Sequence, residues 1–277
     1  MKEQSGQNKF AAELNLFWLA LGFFTRIPIP GSVSFSQQQL NHASRYFALV
    51  GLLIGALTAL VFFTVASFSS LPVALVISMG FGFLLTGGFH EDGLTDTADG
   101  FGGGWTQQQK LSIMKDSRIG SYGSLALWFV LTLKFLLLSD IAFISAHTNV
   151  TSPIILVMIA LIAAHTLSRT LATLVMGYLP YVSDSEQAKS KPLAEHNSRM
   201  DRNISVFTGF IAIALIAGCF SLLHALIVLV ALVIFLGLMV KLLKKQIGGF
   251  TGDTLGASQQ LSELTVYLAV LSAGAFL

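Results

Sequence analysis

Charge is scarce in this chain. Of its 277 residues only 11% are Asp, Glu, Lys or Arg, while 54% are hydrophobic; soluble domains carry about 25% charged residues. That deficit excludes an ordinary soluble protein. With a mean hydropathy of +0.74 it implies an all-α, polytopic integral membrane bundle, read as one catalytic domain over 1–277. Cysteine is nearly absent too. Cys219 stands alone in an apolar run, so no intrachain disulfide can form and no redox compartment can be read. The net charge of +2 is too small to argue for nucleic acid as a partner. No internal repeat is visible, which weighs against a secondary transporter. His90-Glu91 lacks a second His at the zinc-protease spacing. The glycine loops contain no G-x-x-x-x-G-K-[ST], so neither a zincin nor a P-loop ATPase is encoded. No cleavable signal peptide is expected, because the run 10–24 is interrupted by Glu13 and Asn15 and no small-residue cleavage site follows.

What is abundant is apolar sequence. Residues 10–24 would span about 22 Å as a helix, short of a hydrocarbon core of roughly 30 Å, so an interfacial or re-entrant helix is expected there. Pro28 and Pro30 forbid its continuation. About seven transmembrane helices follow, at 46–67, 72–88, 121–146, 153–180, 204–220, 224–240 and 261–277. The split between the fifth and sixth falls near Ser221. Lysine and arginine alternate strictly between the connections. The N-terminal region, 89–120, 181–203 and 241–260 carry them, whereas 68–71, 147–152 and 221–223 carry none. By the positive-inside rule the basic connections face the cytoplasm, and their polar motifs can converge on one face.

The polar exception is the stretch 90–123. The chain has 14 acidic residues, and five of them, Glu91, Asp92, Asp96, Asp99 and Asp116, fall here. Asp92, Asp96 and Asp99 lie at i, i+4 and i+7, within about 60° of arc on a helix, with Glu91 about 100° round. Carboxylates so placed repel one another unless a cation neutralises them, and Mg²⁺ prefers oxygen ligands. The second span is expected to run on as a helix through Asp99 and to break at Gly100, Gly102, Gly103 and Gly104. Thr106, with Gln109 in the capping-box position, begins a helix over 107–116. That helix turns Lys115, Asp116 and Arg118 back toward the carboxylates. The alternative is a solvated acidic face.

Other positions carry two readings each. Arg26 is a phosphate ligand or an interfacial snorkelling arginine. Arg169, with His165 and Ser168, lies inside the fourth span, where an arginine faces a functional cavity or braces the bundle. The loop 248–256 has the glycines to admit a phosphate before a helix N-terminus. Within it Asp253 is an N-cap, or else a metal ligand or base. Glu263 is read only as a balance to nearby lysines. A carboxylate cluster beside basic residues and two glycine-rich loops suits Mg²⁺-assisted attack on a phosphoanhydride.

Four motifs extend this. H-E-D-G-L-x-D-T-x-D-G from His90 and I-M-K-D-S-R-x-G-x-x-G from Ile113 come first. F-T-R-I-P from Phe24 and G-G-x-T-G-D-x-L-G-A from Gly248 complete the set. Together, and in their order along the chain from Phe24 through His90 and Ile113 to Gly248, they resemble the cobalamin synthase family of adenosylcobinamide-GDP ribazoletransferases. The resemblance implies a Mg²⁺-dependent enzyme of the bacterial inner membrane with its active site on the cytoplasmic side. It would join adenosylcobinamide-GDP to α-ribazole or α-ribazole 5′-phosphate and release GMP. On that reading Asp92, Asp96, Asp99 and Glu91 bind metal, and Asp116 is a fourth ligand or general base. Lys115, Arg118 and Arg26 hold pyrophosphate, while Arg169, Gly248, Gly249, Thr251 and Asp253 bind substrate. Membrane lipid surrounds it, and a homo-oligomer or association with other cobalamin-assembly enzymes is left open. A CDP-alcohol phosphatidyltransferase is the nearest rival. Asp96-x-x-Asp99-Gly100 opens its motif, but Gly103-Gly104 stand where Ala-Arg should follow and the later G-x-x-x-D-x-x-x-D is missing. A cation transporter would want its carboxylates mid-membrane.

The topology is checked by cysteine labelling in a Cys219→Ala background. A cysteine at position 107 should react from the cytoplasmic side only, and reaction from the periplasm overturns the orientation.

Overall fold

A computed structural model describes residues 2–147, 152–182 and 194–274. Eleven α-helices account for nearly all of them. They are α1 (Lys2–Phe24), α2 (Gln37–Ala43), α3 (Phe47–Ala66), α4 (Leu71–Thr86), α5 (Phe89–Gly103), α6 (Gln107–Met114), α7 (Ser121–His147), α8 (Pro153–Tyr178), α9 (Arg199–Cys219), α10 (Leu222–Ile247) and α11 (Gly252–Gly274). The all-α membrane architecture is as the composition requires. The one β pairing among the described residues is an isolated parallel bridge between Tyr181 and Phe250. The charges at Asp184, Glu186, Lys189 and Lys191 lie outside the described residues, as do positions 148–151.

Each of the seven expected spans contains a helix over most of its described part, but among the described residues five segments are long and apolar enough to cross a membrane: Gln37–Ala66, Ser121–Phe143, Pro153–Tyr178, Arg199–Cys219 and Leu222–Ile247. The number rises to six if α4 and α5 count as one bent span. The reason is local. α4 has 16 residues, about 24 Å. α11 starts nine residues before the expected 261, with a polar half that the bundle buries. α1 is also longer than expected, since it begins at Lys2. The break near Ser221 is as expected, and Ser221 caps α10 by accepting from the His224 amide.

α8 is the central helix. Its window is 72% buried, against 22% for α10, so α8 is packed on all sides while α10 faces lipid. α3 lies on α8 through Gly51 and Gly55. A Cβ on Gly55 would stand 2.7 Å from the Ile162 Cα, so only small residues permit this approach.

The largest departure from the sequence reading is at the acidic stretch. The second span does not run on through Asp99. Gly87 and Gly88 adopt φ of 69° and 68°, a left-handed region open to glycine, and α5 leaves α4 at 88°. The Arg26 amide donates to the Leu85 carbonyl (2.7 Å), and its guanidinium covers Gly87. Nor do the glycines break α5 where expected, because it continues to Gly103. Close neighbours explain their presence. A Cβ on Gly102 would run into the Tyr122 ring, and one on Gly100 would lie 3.0 Å from the Lys110 carbonyl. The capping box of Thr106 and Gln109 forms as expected, but α6 stops at Met114 rather than reaching Asp116.

α5 then crosses α11 with backbones in contact. A Cβ on Gly93 would stand 2.8 Å from the Asp253 carbonyl, and one on Gly256 would stand 3.3 Å from the Gly93 Cα. Around this crossing the polar connections meet at one end of the bundle. Val182 donates to Phe250 (2.8 Å), Phe250 to Pro180 (2.9 Å) and Lys110 to Gln246 (2.5 Å). Leu111, Met114 and Ile247 form a small core beneath α6.

Gly93→Ala should therefore cost about 1–3 kcal/mol through overpacking. Gly103→Ala, whose Cβ would first meet Ile113 at 3.4 Å, should be neutral or stabilising. Thermal unfolding in detergent distinguishes them.

Candidate active site

The first turns of α5 carry two different faces. Asp92 is exposed, Asp96 half-buried and Asp99 buried, so the three carboxylates form a stripe that enters the protein. The crossing at Gly93 sets Asp253, in the first turn of α11, against this stripe. Burial, and then the charges of Asp253, Asp92 and Asp99, push the Asp96 carboxyl up to about 7. Asp253 is not the N-cap of α11. Thr251 fills that place, its hydroxyl accepting from the Thr254 amide (3.2 Å) while its own amide donates to the Thr254 hydroxyl (2.8 Å).

Asp99 has a defined task. Its carboxylate accepts from the amides of Gly120 (2.7 Å) and Gly123 (2.8 Å), which cap the start of α7. A charged acceptor suits a helix N-terminus, and a Cβ at either glycine would collide with it.

Glu91 does not join the stripe. It turns inward, and its Oε1 accepts from Gln260 Nε2 (2.8 Å). Arg169 is likewise inside the bundle. It is 2% exposed, donates to the His165 carbonyl (3.0 Å) and lies over the Phe24 ring (5.8 Å). Asp116 and Arg118 pair with each other. The Arg118 Nη2 and backbone amide donate to Asp116 at 2.6 and 3.1 Å. The guanidinium holds the Asp116 carboxyl down at about 2, while the carboxylate raises Arg118. Arg26, Lys115 and Arg118 are exposed. Gly248 ends α10 with φ of 75°. A side chain on Gly249 would strike Pro180 and Val182, so both glycines have work in the fold itself.

Sequence reasoning missed the inner polar residues Lys134, Gln259, Gln260 and Tyr267, and it gave Glu263 a minor role. A lysine in the middle of a span was the available signal.

Among the described residues no three His, Cys, Asp or Glu side chains converge to hold one ion. The donor chemistry of the stripe with Asp253 is nevertheless that of a hard cation site, being all oxygen and mutually repelling.

Fold and site together define a polytopic, all-helical membrane protein with a carboxylate-rich centre where its polar connections meet. The chain belongs to the cobalamin-5-phosphate synthase family, whose profile matches residues 16–271. It is 50% identical over 262 residues to the adenosylcobinamide-GDP ribazoletransferase of Shewanella pealeana, covering 95% of this chain and 96% of that one. It is 46% identical over 270 residues to that of Shewanella frigidimarina, covering 98% and 99%. It is 45% identical over 277 residues to that of Shewanella oneidensis, covering both chains fully. No solved structure matches.

Asp99→Ala should lower stability by about 1–3 kcal/mol, because one buried and one part-buried amide lose a charged acceptor. Exposed Asp92→Asn should stay within about 0.5 kcal/mol of the parent. Chemical unfolding of the metal-free protein makes the comparison.

Proposed function

We propose that the chain transfers the phosphocobinamide group of adenosylcobinamide-GDP to α-ribazole or α-ribazole 5′-phosphate, releasing GMP. The carrying observation is the meeting of two motif-bearing helices, which sets Asp92 and Asp96 against Asp253 at the Gly93 crossing. The family and the names of its relatives supply the substrates. The ribazole hydroxyl oxygen bonds to the phosphorus attached to cobinamide. The bond from that phosphorus to the bridging oxygen breaks, and GMP departs with the electron pair. The hydroxyl proton passes to solvent.

Mg²⁺ is held by one or two carboxylates together with water and substrate phosphates, so Asp96 with either Asp92 or Asp253 would hold it jointly with the pyrophosphate, whose negative charge it would offset. Asp99, through its cap on α7, fixes the inner end of the stripe. Arg26, at the bend behind α5, and Lys115 and Arg118, after α6, supply cations for the phosphates. Asp116, held at about 2 by Arg118, is a weak proton acceptor, and it orients the guanidinium instead. The placing of lysine and arginine in alternate connections supports an active site on the cytoplasmic side of the inner membrane.

Asp96→Asn keeps the shape of the side chain and removes its charge. GMP release from adenosylcobinamide-GDP should fall by about 100-fold or more, in the range of lost electrostatic stabilisation. The rise in unfolding temperature that Mg²⁺ gives the parent by binding its native state should shrink or vanish. Near-normal turnover with unchanged Mg²⁺ dependence would sink the reading. Release of CMP from a CDP-alcohol would favour the phosphatidyltransferase class.

A further inference from the structure

Behind the acidic stripe lies a second polar cluster that the proposed reaction does not use. Lys134 of α7 and Glu263 of α11 form an ion pair with side chains 6% and 1% exposed. Glu263 also accepts from Gln259 Nε2 (2.8 Å) and from the Tyr267 hydroxyl (3.0 Å). Gln260 Nε2 donates both to Gln259 Oε1 (3.0 Å) and to Glu91 Oε1 (2.8 Å). A continuous polar line therefore runs from α7 through α11 to α5 and ends on Glu91.

There it meets a cavity of about 20 Å³, lined in part by Glu91, Lys134, His165, Arg169, Gln259 and Gln260. Two buried atoms of its lining residues, Glu91 Oε2 and Arg169 Nε, have no hydrogen-bond partner. Leaving such groups unpaired is costly, and a polar cavity of this size holds one water.

The position of Glu91 gives this cluster a purpose. The far end of α5 is pinned by Asp99 on the amides of α7. The near end has the Gly87–Gly88 bend behind it and Gly93 in the crossing, and glycine backbones in contact do not interlock against rotation. Glu91, one residue before Asp92, supplies the polar anchor at that end.

We propose that Glu91 is a positioning residue: tied through Gln260 and Gln259 to the Lys134–Glu263 pair, it fixes the roll of α5 that turns Asp92 and Asp96 toward Asp253. This rests on the acidic stripe being the reaction centre.

The test uses the full chain in lipid nanodiscs with four variants, Glu91→Gln, Glu91→Ala, Gln260→Ala and the double Glu91→Ala/Gln260→Ala. GMP release is measured against Mg²⁺ concentration, and thermal unfolding without metal. Glu91→Gln keeps the oxygen that Gln260 bonds, so its turnover should stay within about threefold of the parent with the same Mg²⁺ requirement. Glu91→Ala and Gln260→Ala should each lose between about tenfold and 100-fold in turnover through misplacement, and should need more Mg²⁺. The double variant should be no worse than either single one in turnover or unfolding, because both remove the same interaction.

A Glu91→Gln variant as inactive as Glu91→Ala, beside a near-normal Gln260→Ala, would overturn the proposal and make Glu91 a group of the reaction centre. Additive losses in the double variant would also overturn it, as would non-additive unfolding with parental GMP release in every variant. Asp96→Asn, run alongside, keeps the two readings apart: its normal turnover would refute the acidic-face reading itself, whatever the Glu91 series does.

Discussion

Contact between two helix backbones is the constraint on which the site depends. α5 and α11 approach so closely at Gly93 and Gly256 that a single Cβ would have to displace backbone. That contact brings the acidic motif of one connection against the first turn of the last helix. Glycine within a helix costs about 1 kcal/mol relative to alanine. Here that cost yields proximity, because carboxylates on helices held apart by ordinary side chains would stand too far away to sense each other. Burial first, and then the charges of Asp253, Asp92 and Asp99, raise the Asp96 carboxyl, and the same contact is what places Asp253 among them.

The bend at Gly87 and Gly88 does the complementary work. Had α4 continued straight, as an apolar run followed by a regular acidic helix suggests, the stripe would have extended along the direction of α4. Turned through 88°, α5 instead lies across the end of the bundle. One of its faces is open to polar surroundings and the other rests on the interior. Asp92 and Glu91 are neighbours in sequence and about 100° apart on the helix, and the bend sends them into different environments.

Local signals were legible in the sequence. The capping box at Thr106, the turn at Ser221 and the i, i+4, i+7 stripe all follow from spacing over a few residues, and the alternation of basic connections anticipated their meeting at one end. What escaped was non-local or degenerate. A glycine pair inside an apolar run does not state the direction of a bend. Thr251 and Asp253 each precede an amide three residues on, so spacing alone could not choose the cap. Asp99 caps a helix that begins after an intervening one, so its cap could not be read from neighbouring residues. Lys134 and Glu263 lie on helices far apart in sequence, and neither names its partner. Glu91 was grouped with the aspartates because the sequence gives the angle between side chains but not which angle faces inward.

Stability alone is a poor account of the inner charges. Replacing a buried ion pair by apolar residues of similar volume is often neutral or even stabilising, whereas removing one partner is severely destabilising. A bundle that needed only cohesion could have used apolar side chains at 134 and 263, as its hydrophobic core does elsewhere. Directional bonds differ from apolar contacts in that they hold one rotation of a helix and disfavour the others. α5 has a backbone crossing that fixes distance but leaves orientation weakly specified, and its function depends on which of two adjacent carboxylates points out. A polar line from Lys134 to Glu91 corrects that weakness, and it ends on the residue next to the first aspartate of the stripe.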